Sequence, residues 1–212
     1  MEHAVKYPKT MHLPWSPGLQ NDDRVIESLD SLRGRRVVVT EKMDGENTTM
    51  YRDGIHARSI DGRYHGSRDW VKRFWGENVA QRIPFGDRIC GENVYAQHSI
   101  VYDDLDTYFY GFSYWEGDRC LSWDDTEVLF KLLNITPVPV LYRGIFDEHT
   151  LHSLEMIMDF ERQEGYVVRL ADSFTMADFP RAVAKYVRKG HVQTDEHWMH
   201  KEIKPNGIRQ DG

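Results

Sequence analysis

EKMDGEN, residues 41–47, lies between two runs that predict β-strands. The β-branched run RVVVT at residues 36–40 precedes it, and TTMY at residues 48–51 follows it. Because Asp44-Gly45 can adopt the positive φ of a tight turn, we expect a hairpin that holds Lys42 at the rim of a sheet. A lysine beside a pocket floor is a candidate nucleophile, although a lone K-x-D-G also fits an ordinary turn with a solvated lysine.

The rest of the chain predicts one α+β domain around this stretch. We expect a helix over residues 22–32, with Asp22 or Asp23 as its N-cap and Gly34 at its end. In the aromatic strand that follows later, Gly111 could mark a bulge. The other expected elements are strands at 55–59, 88–94, 107–115, 163–170 and 181–188, and helices at 67–83, at 122–134 and from Asp147 onward.

Three segments are expected along the chain. Residues 1–20 are punctuated by prolines and should run extended and pack on the core. Residues 21–194 should form the main domain, and residues 195–212 a polar C-terminal tail. Neither internal repeats nor low-complexity stretches occur in the sequence.

The composition is that of an ordinary soluble globular protein. Hydrophobic residues make up 40% of the 212 and charged residues 29%, and no apolar run approaches the ~20 residues that a bilayer span needs. The first residues show no secretion signal, so we expect a cytoplasmic protein. Cys90 and Cys120 fall in separate strand-like segments, so we expect buried thiols and no disulfide framework.

A polyanionic partner would have to bind a local basic patch, because the net charge is −7. Two patches qualify. Residues 58–73 carry five cations against two aspartates, and residues 181–189 carry four cations and no acid. Charge runs are more often solvated faces, so neither patch alone indicates a nucleic-acid site.

A set of residues able to support phosphoryl chemistry recurs along the chain in a definite order. The set is Lys42-Met43-Asp44-Gly45, Arg58, Gly91-Glu92, Phe112, Glu164-Gly165 and Lys185. This order resembles the motifs of the covalent nucleotidyltransferases, which include the ATP-dependent ligases and the capping enzymes. Because Asn47 completes a K-x-x-G-x-N pattern, the chain is most similar to the ATP-dependent RNA ligases, those of the phage T4 second type in particular. The resemblance covers residues 36 to about 194.

The resemblance implies a fold and an activity. The implied fold is α+β, a nucleotidyltransferase domain of antiparallel sheets flanked by helices. The implied activity is the joining of RNA 5′-phosphate and 3′-hydroxyl ends in RNA repair, with ATP, Mg²⁺ or Mn²⁺, and RNA ends as partners. Lys42 would attack the α-phosphorus of ATP, form a lysyl–AMP and release pyrophosphate, and the AMP would then pass to the RNA.

The resemblance also implies roles for individual side chains. Lys42, Arg58 and Lys185 would be catalytic, the last two through the phosphate oxygens. The ATP site would further contain Glu41, Glu92, Phe112, which stacks on adenine, and Glu164. A hydrated metal ion would be held by Asp44, Glu92 and Glu164, and the RNA by Asn47, Arg188 and Lys189.

Physical chemistry supports this division of roles. A lysine nucleophile must be neutral, and a nearby cation such as Lys185, or a bound metal, is expected to lower its pKa. Phosphoryl-type transfer gains mainly from positioning and from neutralising charge on the phosphate oxygens. Mg²⁺ keeps its waters and is held by carboxylates, and an aromatic face binds adenine by stacking.

Two features depart from the family pattern. Many RNA ligases carry a second lysine two residues after Lys185, where this chain has Val187, so Arg188 or Lys189 could supply that cation. No OB-fold domain, such as DNA ligases and capping enzymes carry after the catalytic domain, is expected at the C-terminus.

Alternative interpretations remain for several residues. Glu92 and Glu164 could each be an ordinary strand-end carboxylate. The histidines of the tail, His191, His197 and His200, could suggest zinc, but their spacing is irregular, and surface or RNA contacts are favoured. The whole domain could also be a non-catalytic nucleic-acid-binding relative, or a minimal ATP-dependent DNA ligase.

Overall fold

The computed structural model describes residues 4–60, 64–190 and 203–209, and these residues form two β-sheets and four helices. The tail histidines and most of residues 195–212 lie outside the described residues. The strands are β1 Met11–His12, β2 Arg36–Glu41, β3 Glu46–Tyr51, β4 Gly54–Ala57, β5 Asp87–Asn93, β6 Phe109–Glu116, β7 Arg119–Cys120, β8 Thr136–Pro137, β9 Val140–Ile145, β10 Gly165–Leu170, β11 Phe174–Thr175 and β12 Val183–Val187. The helices are α1 Asp69–Asn78, α2 Trp123–Leu132, α3 Glu148–Ile157 and α4 Phe179–Ala182, with a 3₁₀ turn at Gly66–Arg68.

The strands divide into a five-stranded and a seven-stranded sheet. The first sheet has the order β1-β12-β10-β2-β9 and the second β11-β7-β6-β5-β3-β4, with β8 beside β6. All pairings are antiparallel except those of β1 with β12 and of β8 with β6. Of the helices in the described ranges, none has the length and apolar character that a membrane crossing requires.

The expected hairpin around Asp44-Gly45 is wrong. β2 pairs with β9 and β10, whereas β3 pairs with β4 and β5, so residues 42–45 cross from one sheet to the other. Gly45 does not adopt a positive φ. Its lack of a side chain serves close packing instead, because a Cβ there would overlap the carbonyl oxygen of Asn93. Lys42 therefore lies between two sheets and not at the turn of one.

The helix predicted for residues 22–32 is also absent, although its apolar positions are buried. Ile26, Leu29 and Leu32 all lie in the core that the two sheets share, but they reach it from a series of turns. The first part of this segment is bonded to β1, with His12 N donating to the Arg24 carbonyl and Ile26 N donating to the His12 carbonyl, and its second part closes only short turns, such as Leu32 N to the Leu29 carbonyl. Pairing with a neighbouring segment thus replaced the local helix.

Most other predicted elements are present. The α2 and α3 helices begin where capping was expected, because Ser122 and Asp147 accept hydrogen bonds from backbone N–H groups three residues later. The helix expected at 67–83 is shorter than predicted and ends at residue 78, before Gln81, which has φ 63°. Cys90 and Cys120 are buried free thiols, as predicted.

Apolar clusters hold the sheets in place. One lies between the sheets and includes Trp115 and Tyr166, a second lies between the seven-stranded sheet and helices α1 and α2, and a third includes Met43 and Trp123. Residues 203–209, predicted as part of a polar tail, run against the loop at 94–106, where buried Asn206 bonds to the backbone of Val94 and Tyr102. The C-terminal end of the described chain is thus linked to the crossover, because the Tyr102 hydroxyl accepts from Asp44 N–H.

Candidate active site

A cleft of about 760 Å³ opens between the two sheets at the crossover. It is deep because β2 ends in one sheet and β3 begins in the other, which leaves residues 41–47 along its floor. Glu164 is fully buried and lies beneath the surface of the cleft. Arg188 and Lys189 do not line the cleft. The predicted residues that line it are Glu41, Lys42, Asp44, Asn47, Arg58, Glu92, Phe112 and Lys185.

Lys42 is held by both its backbone and its side chain. Its N–H donates to the carbonyl of Gly165 on β10, and its Nζ donates to Glu164 Oε2 at 2.6 Å. The side chain retains 19% of its exposure, whereas Glu164 has none. Burial disfavours the ammonium, but Glu164 and Glu92 outweigh it and raise the pKa of Lys42 above its usual value.

The lowered pKa expected for Lys42 is not found, because the carboxylates around Lys42 dominate its electrostatics. Lys42 and Lys185 do repel each other: burial first, and then the charge of Lys42, lowers the pKa of Lys185 to about 8. Lys42 rests as an ion-paired ammonium that must lose a proton before it can act as a nucleophile.

Three carboxylates converge on Lys42, but they differ in their surroundings. Burial and the nearby charge of Glu164 raise the pKa of Glu92 to about 8, against the lowering effect of Lys42. Asp44 Oδ2 accepts hydrogen bonds from Ser99 N, Ser99 Oγ and Ile100 N at 2.7–2.8 Å. Asp44 thus anchors the 99–100 segment to the floor of the cleft, a function that the sequence did not indicate.

The donor chemistry of this carboxylate group suits a hydrated divalent cation. Negative groups packed together with little water are stabilised by an additional positive charge, and Mg²⁺ and Mn²⁺ prefer oxygen ligands. Within residues 4–60, 64–190 and 203–209, no three His, Cys, Asp or Glu side chains are arranged to ligate a metal directly. Glu92 and Glu164 are the residues that would hold such an ion through its waters.

Phe112 enters the cleft through a bulge in β6. Cys90 pairs with Ser113 and Gly91 with Gly111, so Phe112 is the extra residue opposite one step of β5. The bulge next to Gly111 agrees with the sequence prediction. Phe112 is half-buried and packs edge-on against Tyr7, with ring centroids 5.2 Å apart. Val167 also lines this part of the cleft, which gives it apolar walls suited to a planar base.

Asn47 presents a buried acceptor that has no hydrogen-bond partner among the described residues. Its Oδ1 is shielded from solvent and accepts no hydrogen bond from the described residues. Its carbonyl accepts from the N–H of Arg58, which ties β3 to the strand that returns beside it. Next to it, Arg68 Nε donates to Glu46 at 2.8 Å. A buried acceptor without a partner is costly, so Asn47 is available to bind a ligand donor.

The cation expected from Arg188 or Lys189 is not delivered to the cleft. Val187 is fully buried and its N–H donates to Ser16 Oγ, so the strand ends with its side chain in the core. Asp23, for which the sequence indicates only a helix cap, lies 3.7 Å from Lys185 Nζ and lines the cleft. This contact joins segments that are distant in sequence, so no local pattern indicates it.

Comparison with known proteins gives one match to a protein-family model. The model described as "RNA ligase" matches residues 35–187. No curated protein matches the chain.

Solved structures share the fold at low sequence identity. A Naegleria gruberi RNA ligase with PPi matches with a TM-score of 0.57 at 19% identity, over 85% of this chain and 57% of that one. A putative ATP-dependent DNA ligase from Aquifex aeolicus matches with a TM-score of 0.58 at 21% identity, over 87% and 50%. An archaeal ATP-dependent RNA ligase matches with a TM-score of 0.60 at 18% identity, over 85% and 48%. The chain thus spans about half the length of these structures, and the predicted nucleotidyltransferase fold is confirmed.

Proposed function

The chain belongs to the RNA ligase family, and from that premise we propose that it joins RNA 5′-phosphate and 3′-hydroxyl ends with ATP. The carrying observation is the position of Lys42 at the crossover between the sheets, in contact with Glu164 and in one cleft with Glu92, Phe112 and Lys185. A structural lysine has no need of such surroundings. RNA repair is the role that this activity would serve.

The first step is the transfer of AMP from ATP to Lys42. The Lys42 ammonium gives up one proton, and the resulting amine attacks the α-phosphorus, so that an N–P bond forms while the bond to the β-phosphate oxygen breaks and pyrophosphate leaves. A second proton then leaves Nζ, to the departing pyrophosphate or to solvent, and gives the neutral phosphoramidate nitrogen. Glu164 Oε2, 2.6 Å from Nζ, is positioned to accept the first proton. The leaving pyrophosphate carries the electron pair of the broken bond, so the step balances without a redox partner.

The cleft offers complementary groups to each part of ATP. Phe112 and Val167 would enclose the adenine, and Arg58 and Lys185 would neutralise charge on the phosphate oxygens. A divalent cation bound through water by Glu92 and Glu164 would add positive charge at the same oxygens. Variants of the Naegleria enzyme are solved with ATP and Mn, which supports the use of such an ion here.

In the later steps the AMP passes to the RNA 5′-phosphate and is displaced by the 3′-hydroxyl. The unpartnered Oδ1 of Asn47 supports a role at this stage, because an RNA donor group could satisfy it. The predicted outcome is that Asn47→Ala still takes up AMP but seals RNA poorly. Asn78→Ala, on α1 outside the cleft, is the control and should behave as wild type.

Label transfer tests the proposed function. The protein is incubated with ATP labelled at its α-phosphorus and with Mg²⁺ or Mn²⁺, freed of ATP, and then given nicked duplex RNA, single-stranded RNA or the corresponding DNA. We expect label on the protein, its transfer to RNA 5′-phosphate ends, and a sealed product. A wild-type protein that takes up no label under these conditions would contradict the proposal.

A minimal DNA ligase is the second candidate. The fold similarity to the putative DNA ligase of Aquifex aeolicus, at a TM-score of 0.58, favours considering it. The same assay separates the two, since a DNA ligase would seal the nicked DNA faster than the RNA. A non-catalytic nucleic-acid-binding relative would bind the substrates without accepting label.

A further inference from the structure

The N-terminal segment forms a strand directly beside the strand of Lys185. β1 pairs in parallel with β12, with His12 opposite Lys185, and Leu13 N donates to the Lys185 carbonyl at 2.8 Å. Ser16 Oγ accepts from Val187 N at 2.9 Å. His12, Leu13 and Ser16 all precede residue 35, where the family match begins. The backbone around Lys185 is therefore fixed by a part of the chain that the family match does not cover.

Polar contacts along this segment lead to Asp23. Ser16 Oγ, which accepts from Val187 N–H, lies 2.8 Å from His12 Nδ1, and His12 Nε2 lies 3.1 Å from Asp23 Oδ2 without hydrogen-bond geometry. The same Oδ2 accepts a hydrogen bond from Gln20 N–H at 3.1 Å. His12 has no solvent exposure, and burial together with Lys185 lowers its pKa to about 4. Asp23 is thus held by Gln20 and packed against a neutral His12.

Asp23 in turn faces Lys185 with its other oxygen. Oδ1 lies 3.7 Å from Lys185 Nζ and 3.6 Å from Lys9 Nζ. The side chains of Asp23 and Lys185 are only 6% and 8% exposed. A buried ammonium near the like charge of Lys42 needs a fixed counter-charge, and Asp23 provides one. The result is a continuous series of contacts from Ser16 through His12 and Asp23 to Lys185.

We propose that Asp23, held by the Gln20 N–H and packed against His12, is a positioning residue that holds the Lys185 ammonium toward the cleft. This inference rests on the proposed function, because Lys185 matters only if a phosphate is bound there. A cation that is already in place needs no reorganisation when charge develops on the phosphate oxygens. Loss of Asp23 leaves the ammonium in the protein but removes the group that fixes it.

The test is a kinetic double-mutant cycle in the single-turnover adenylylation of the full chain. The rate constant at saturating ATP does not depend on the fraction of active protein, and the end-point amplitude reports that fraction separately. We expect Asp23→Asn to lower the rate constant about tenfold, equivalent to ~1.4 kcal/mol at the transition state. In a Lys185→Ala background the same change should have no further effect, since the group that it positions is gone.

Controls separate positioning from general damage. Asp30→Asn, in the same segment but exposed and outside the cleft, should react as wild type. His12→Gln, which keeps a polar group facing Asp23, should stay within about threefold of wild type, whereas His12→Leu, which removes that polar contact, should be slowed like Asp23→Asn. These histidine variants keep the inference testable if Asp23→Asn gives little folded protein.

Two results would overturn the inference alone. The first is that Asp23→Asn reacts at the wild-type rate although the wild-type protein takes up label. The second is that Asp23→Asn slows the reaction by the same factor in the Lys185→Ala background as in the wild-type background. A wild type without label would instead overturn the proposed function, and the inference with it.

Discussion

Lys42 and Glu164 should be strongly coupled in the protein without ATP or divalent metal. The perturbation is a thermodynamic cycle of Lys42→Met, Glu164→Gln and the double variant. Lys42→Met leaves a fully buried carboxylate without its 2.6 Å partner, and Glu164→Gln leaves an ammonium without its nearest countercharge. Each single change should therefore cost more than the loss of contact area alone.

The magnitude follows from burial. Removing one member of a buried pair costs about 3–5 kcal/mol, because the remaining charge stays away from water. Lys42 keeps 19% of its exposure, so water relieves part of that cost and about 2–3 kcal/mol is expected for each single variant. The double variant should lose about as much as one single variant. The coupling free energy is then about 2–3 kcal/mol.

Urea unfolding with EDTA at neutral pH measures these free energies. The matched control is the exposed pair Arg162 and Asp103, with side chains 63% and 72% exposed, whose coupling should stay below about 1 kcal/mol. A Lys42–Glu164 coupling as small as that of the control pair would refute the reasoning, since it would mean that the buried ion pair does not form in solution.

Three further outcomes are expected. Tyr102→Phe removes the hydroxyl that accepts from Asp44 N–H at 2.9 Å, and should lower the free energy of unfolding by about 1–3 kcal/mol; a loss within error of zero would contradict this contact. Gly45→Ala should cost about 1–3 kcal/mol and lower the Tm, because the new methyl group meets the Asn93 carbonyl, and an unchanged Tm would show that the crossover is looser than described. Burial, followed by the charge of Lys185, lowers the pKa of His12 to about 4, below its pKa in the unfolded chain. The stability that the neutral His12 ring contributes is therefore complete above the unfolded pKa, and it is lost as the pH falls toward the folded pKa. Between about pH 7 and pH 4.5 this loss is ~2 kcal/mol, and His12→Gln should lack it; equal acid sensitivity of the two proteins, by urea unfolding, would exclude the mechanism.

Much of the fold was predictable because its signals are local. The β-branched run before Lys42 and the caps at Ser122 and Asp147 each depend on neighbouring residues, and the corresponding elements are present. The bulge at Gly111 was likewise indicated by a glycine within an aromatic strand.

The errors concern partners that are distant in sequence. Nothing within residues 36–51 indicates that β2 and β3 belong to different sheets, so the local pattern predicts a hairpin where the chain crosses between sheets. The apolar spacing of residues 22–32 identified buried positions correctly, but pairing with β1 took the backbone bonds that a helix would use.

The order of the motif residues along the chain was sufficient to predict which side chains line the candidate site. Eight of the residues named from the sequence line one cleft, yet the electrostatics of Lys42 could not be inferred. They depend on the 2.6 Å contact with Glu164, 122 residues away. The same reason explains why Asp23 and Tyr102 escaped notice, since each acts across a contact that only the folded chain creates.

The central claim is that Lys42 carries the AMP, and a peptide map of the labelled protein tests it most directly. The wild-type protein is incubated with ATP and a divalent metal, digested and analysed by mass spectrometry. We predict one acid-labile AMP adduct on the peptide that contains Lys42, fragmented to that side chain, and no adduct in Lys42→Arg. An AMP adduct on Lys185 or another residue, or sealed RNA produced by Lys42→Arg, would contradict the account.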